Sequence, residues 1–149
     1  MSHEERNNIA SIIAGLLVNI YVINKLSNLF ADGSLDGPDA LMVWARAMLW
    51  AIPVGVIVVI ICVILFSIVF AIATGEENPS FVVDERDEAI KILGLRFNMV
   101  IISVAFIGGM IGLALGYAPL YVFIGMFFGF SIGDLIGNFA KLIRYRVDM

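Results

Sequence analysis

One histidine and one cysteine in 149 residues leave little room for cofactor chemistry. His3 stands in a polar N-terminal stretch and Cys62 inside an apolar run. Haem held between paired intramembrane histidines, zinc sites of the Cys/His kind and a disulfide framework are therefore all excluded. No cofactor or metal is expected. Charge is scarce too, at 15% of residues, and the nine Lys and Arg are outnumbered by thirteen acids for a net charge of −4. A nucleic-acid binder needs basic side chains gathered on one face, so that class is set aside. Ser67, Ser103 and Ser131 have no histidine to serve as base, no lysine stands near mid-span and no glycine-rich phosphate loop is present. An enzyme is not expected. A cleavable secretory leader needs a basic start and small residues before the cut. The chain begins Met1-Ser2-His3-Glu4-Glu5-Arg6, and Leu29 occupies the place where a small residue would precede Ala31. The first apolar segment is expected to be retained.

What the chain has in quantity is hydrocarbon. Hydrophobic residues make up 61% and the mean hydropathy is +1.00. A water-soluble fold of this size cannot cover that much apolar surface with so few charges, and a bilayer removes the need. A hydrocarbon core of about 30 Å takes about 20 residues of helix. Four segments qualify: about 9–30, interrupted by Asn19, Asn24 and Lys25; about 44–73, uncharged from Ala47 to Ala73; about 85–116, apolar from Phe97; and 120–142. The second is rich in β-branched residues, but in lipid only a helix or a closed barrel satisfies the backbone, and its length selects a helix. It exceeds the core thickness, which predicts tilt or a bend near Pro53. Trp44 and Trp50 fit an interfacial belt. The expected fold is all-α, a single transmembrane domain over 1–149 with four spans and a tight hairpin at Tyr117-Ala118-Pro119.

Orientation is read from Lys and Arg. Arg6, Arg86, Lys91, Arg96, Lys141, Arg144 and Arg146 share one side of a four-span arrangement, while Lys25 and Arg46 flank an acidic loop on the other. Seven against two predicts both termini in the cytoplasm.

The last two spans carry glycines at helical spacing: Gly108, Gly112 and Gly116, then Gly125, Gly129, Gly133 and Gly137. Residues four apart share a face, and in lipid such grooves let helices approach closely. A turn centred near Ala118 sets Gly112 against Gly125 and Gly108 against Gly129. Two readings are open: packing within the hairpin, or a seam between chains.

Asp134 is the acid well inside a span, and an ionisable group there is costly unless it meets protein or water. The same register sets it near Ser103, and Asn138 near Asn98. Asn19 and Ser11, with Gly15 between them, add a polar stripe on the first span. The readings are a carboxylate that binds a proton or cation, or one that is protonated or bonded to Ser, Asn or Arg96.

Before the third span come Asp84, Glu85, Arg86, Asp87 and Glu88. Asp84 is a good N-cap and the acids suit the first turn of a helix. Helix capping and solvation, docking of a cytoplasmic partner, and a divalent cation are the alternatives, the last without the glycine-bearing loop of an EF-hand. The run Asp84-Glu85-Arg86-Asp87, followed by Ile90, the hairpin and the basic tail Lys141 to Arg146, resembles a family of bacterial and archaeal integral membrane proteins of unknown function. Their Asp-Glu-Arg-Asp signature precedes a closing pair of transmembrane helices. The resemblance covers about the second half of the chain. It implies a small multi-helix protein of the bacterial or archaeal inner membrane with no established activity.

The expected function is association: a non-enzymatic subunit, regulator or homo-oligomer, whose partners are the lipid bilayer and either itself or another membrane protein. The alternative is a small oligomeric proton- or cation-coupled transporter or channel using Asp134.

Overall fold

The computed structural model describes residues 3–75 and 85–147. They form four helices: α1 (His3–Ala31), α2 (Ala40–Thr74), α3 (Glu85–Ala114) and α4 (Pro119–Val147). All four are long and apolar enough to cross a membrane, as expected. The first and fourth exceed their sequence-predicted bounds, because helix continues through polar residues that hydropathy alone assigns to water, and the second begins four residues earlier than expected, at Ala40. Asp84, expected as the cap of α3, lies outside the described residues.

Local chemistry accounts for the ends. Glu4 and Glu5 occupy the first turn of α1, and Glu85, Asp87 and Glu88 that of α3. Arg144 and Arg146 close α4. Each charge opposes the helix dipole at its end. Pro119 opens α4, where its missing N–H costs no intrahelical bond. Gly116 ends the preceding helix at φ 85°, and Tyr117 N–H reaches back to the Gly112 carbonyl at 3.1 Å. This left-handed cap compresses the hairpin into four residues. α2 runs uninterrupted through Pro53 for 35 residues, about 52 Å at 1.5 Å per residue.

The helices pack in the order α2, α1, α4, α3. α3 lies mainly on α4, α1 lies between α4 and α2, and α2 touches α4 only lightly. A cluster of buried hydrophobic residues forms at the end with the α1–α2 and α3–α4 connections, around Val22, Leu35, Trp44, Met48 and Leu120. Leu35 comes from the connecting loop and plugs the core. Beside it, Ser34 bonds the Asp32 carboxylate through its backbone N–H at 3.0 Å. The Ser34 hydroxyl and this N–H hold the Asp32 carboxyl below its ordinary range. The two tryptophans part company. Trp50 is exposed, as a belt residue would be, but Trp44 is buried with its ring 6.2 Å from Phe123. At the opposite end, α1 and α2 are tied by the buried Arg6, whose guanidinium lies 4.4 Å over the Phe70 ring. Such a cation–π contact is stronger when desolvated.

Candidate functional site

Two seams converge on α4. The first joins it to α3 through glycine. A Cβ added at Gly129 would lie 2.6 Å from the Ala105 Cβ, and one at Gly137 would lie 2.7 Å from the Gly94 carbonyl oxygen. At Gly133 it would meet Asn98 Oδ1 at 3.1 Å and Ile101 at 3.2 Å. Gly109 receives the Met126 side chain, and at Gly112 a Cβ would come within 3.3 Å of Val122. The register differs from the expected one: Gly112 faces Val122 rather than Gly125, and Gly129 faces Ala105 rather than Gly108. The reason is steric. Two grooves set face to face leave a gap that forfeits dispersion contacts, whereas a groove against a side chain fills it. Gly94 is the glycine that spacing did not single out. It is isolated from the series, yet the Lys141 stem lies across it, where an added Cβ would meet Cε at 2.6 Å.

Gly108, Gly116 and Gly125 take no part in this seam. Among the described residues, nothing lies within 4 Å of an added Cβ at any of them. Gly116 caps α3. Gly108 and Gly125 line a shallow groove of about 270 Å³ on the outer side of the hairpin, together with Ala105, Gly112 and Tyr121.

The second seam joins α4 to α1 through amides. Asn19 donates to the Gly15 carbonyl at 2.8 Å and to Ser131 Oγ at 2.7 Å, and the serine hydroxyl returns a bond to Asn19 Oδ1 at 2.9 Å. Both amide protons and the carbonyl are thereby used in mid-span, where water is not available to substitute. Eleven residues earlier, buried Asn8 donates to the Asn138 backbone carbonyl at 2.8 Å. Asn138 in turn donates to Asp134 Oδ2 at 3.1 Å. Gly15 admits Leu135 between these two contacts.

Several expected neighbours are not brought together. Asn138 faces α1, not Asn98, because Gly137 takes the position toward α3 and the next residue is turned by about 100°. Ser103 is exposed and bonds its own helix at the Met99 carbonyl, well away from Asp134. Ser11 likewise bonds the Asn7 carbonyl. Asp134 itself is exposed on the flank of α4 rather than enclosed in the bundle. Asn98 Oδ1 is buried beside Gly133 without a hydrogen-bond partner among the described residues. A stranded buried acceptor destabilises, so Asn98→Ala is expected to leave stability unchanged or raise it by up to about 1 kcal/mol. SDS-driven unfolding in mild detergent measures this; a clear loss of stability would contradict the assignment.

At the end carrying the termini, Glu85, Arg86 and Glu88 are exposed while Asp87 is buried. The charged run therefore splits between two directions instead of presenting one face. Arg86 Nη2 donates to the Tyr145 carbonyl over a long 3.4 Å, and Arg146 Nε stands 3.4 Å from the largely buried Glu5 carboxylate. Among the described residues, no three His, Cys, Asp or Glu side chains converge as a metal site would require. Comparison with protein-family models, with curated proteins and with solved structures gives no match to this chain.

Proposed function

We propose that this chain is a non-enzymatic, multi-pass membrane protein that works by association, as a subunit or regulator of a larger assembly or as a homo-oligomer. Both termini lie on the cytoplasmic side of a bacterial or archaeal inner membrane. The seven basic residues at the terminal end against two at the other support that orientation. The resemblance to the Asp-Glu-Arg-Asp membrane family points the same way.

One observation carries the reading: Gly108 and Gly125, on adjacent helices of one hairpin, stand open, with none of the described residues within 4 Å of an added Cβ. The other glycines of α4 are consumed by α3. Lipid tails gain little from a glycine groove, whereas a helix backbone packs closely into it. The expected experiment compares the particle size and co-purified partners of the wild type in mild detergent with those of Gly108→Leu and Gly125→Leu. Assembly is lost in both variants while helix content and the Trp44 signal persist. Assembly that survives both substitutions would remove the reading.

The transport alternative depends on Asp134, whose exposed carboxylate would have to meet water inside an assembly. Unchanged ion or proton flux for Asp134→Asn in proteoliposomes would dispose of it.

A further inference from the structure

The outer face of α2, near the α1–α2 connection, carries two charges that the bundle does not use. Residues seven apart on a helix share a face, and Asp39, Arg46 and Pro53 stand at that spacing, with Leu49 and Trp50 beside them. The Val43 N–H bonds the Asp39 carbonyl at 3.0 Å, so the helical phase reaches back to Asp39. The bundle lies on the other side of this helix, where Trp44, Met48 and Ala51 are buried and Gly55 meets Val18.

Arg46, Leu49, Trp50 and Pro53 line a single shallow hollow of about 360 Å³. All four are exposed, as is Asp39. Among the described residues, no ion pair or hydrogen bond engages the Arg46 side chain. Asp39 stands at the N-cap of α2 but makes no side-chain capping bond. Both charges are therefore open to a ligand.

The chemistry along this face follows the order of a phospholipid. No charged residue occurs from Ala47 to Ala73, so Arg46 is the last charge before the hydrocarbon-length run. Leu49, Trp50 and Pro53 lie on its apolar side. Asp39 lies two turns away on the water side, about 10 Å along the axis. An ethanolamine phospholipid presents acyl chain, phosphate and ammonium in the same sequence. The planar guanidinium fork suits the phosphate, and an exposed tryptophan suits the headgroup boundary. Asp39 selects among headgroups: it attracts an ammonium, whereas a glycerol headgroup offers it no positive charge.

We propose that this hollow binds a zwitterionic phospholipid with a primary ammonium group, from the leaflet at the end carrying the α1–α2 connection. The phosphate lies on Arg46, the ammonium on Asp39, and the start of one acyl chain along Leu49, Trp50 and Pro53. The site shares no residue with the Gly108–Gly125 groove, so either proposal stands without the other.

The test is native mass spectrometry of the full-length protein in mild detergent. The probes are dioleoyl phosphatidylethanolamine, dioleoyl phosphatidylglycerol and glycerophosphoethanolamine. The first two differ only in the headgroup, and the third is the headgroup without chains. The wild type is expected to bind phosphatidylethanolamine about five-fold more tightly than phosphatidylglycerol, the order expected for one charge contact at a membrane surface. Asp39→Asn brings the two lipids level, and Asp39→Lys reverses their order. Arg46→Gln weakens both about five-fold, and Arg86→Gln at the opposite end changes neither. Circular dichroism checks folding, and Asp39→Asn alone serves if Asp39→Lys is unfolded. Equal binding of the two lipids by the wild type overturns the proposal. So does a preference that survives replacement of Asp39, or unchanged binding in Arg46→Gln. Loss of the preference in Arg86→Gln overturns it by moving the selectivity to the other end of the protein. Glycerophosphoethanolamine binding as tightly as the intact lipid also overturns it, by revealing a site for the headgroup alone.

Discussion

Gly137→Ala is expected to destabilise the protein by about 1–3 kcal/mol, whereas Gly125→Ala leaves it unchanged or slightly more stable. The two residues belong to the same glycine series on the same helix, three repeats apart. What separates them is the neighbour. At Gly137 the new methyl group arrives 2.7 Å from the Gly94 carbonyl oxygen. That oxygen belongs to the backbone of α3, so relief requires the helices to part and loosens the contacts at Gly133 and Gly129 as well. At Gly125 the methyl group enters open space, and the helix gains up to about 1 kcal/mol in propensity. Gly129→Ala should behave like Gly137→Ala, since its methyl would come 2.6 Å from the Ala105 Cβ. SDS-driven unfolding monitored through Trp44, which packs near Phe123 on α4, measures all three. Equal effects at positions 125 and 137 would show that the hairpin register is not the one described.

The second large effect belongs to the amides. Asn8→Ala and Asn19→Ala each remove a side-chain contact that holds α1 to α4. Hydrogen bonds between membrane helices contribute about 0.6–2 kcal/mol apiece, less than hydrocarbon surroundings alone would suggest, because the separated helices find other partners. The sites are eleven residues apart, about 16 Å along the helix, so their effects should add to about 2 kcal/mol. The doubly substituted protein should therefore unfold at a lower SDS fraction by the sum of the single shifts. A double variant no weaker than either single one would mean that α1 is held by packing at Gly15 and Ala14 instead.

How much of this was legible beforehand depends on which physical property encodes it. The number of helices follows from apolar length, and the hairpin turn from Gly116, Tyr117 and Pro119, so both could be read. Helix ends at Glu4–Asn8 and Ile143–Val147 could not, because hydropathy stops at the charged residues while the hydrogen-bonded backbone does not. The order of helices in the bundle was also hidden. In water an apolar stripe marks the buried face, but lipid is as apolar as leucine, so Ile13, Leu16, Leu17 and Ile20 are exposed on α1. The inward face is marked by small and polar residues: Ala10 and Ala14, among the most buried in the protein, with Asn8, Gly15 and Asn19 beside them. The glycine series was visible, but its partners were not, since spacing fixes a face and leaves open what fills it. Leu35 and Trp44 were missed for a related reason. A loop leucine and a tryptophan near a span end read as solvent-side and headgroup-side residues until the neighbouring helix closes over them.

The packing order α2, α1, α4, α3 has a consequence for assembly. Each flanking helix rests mainly on its neighbour along the chain, so α1–α2 and α3–α4 are local hairpins, complete in outline as soon as each pair has been synthesised. The α1–α4 face, with the lighter α2–α4 contact beside it, requires segments far apart in the chain to find one another, 79 residues at Trp44–Phe123 and 130 at Asn8–Asn138. That last junction includes asparagine and serine contacts, whose bonds are directional. Docking of the two preformed halves is thereby given a unique alignment at the step where oily surfaces alone would accept many.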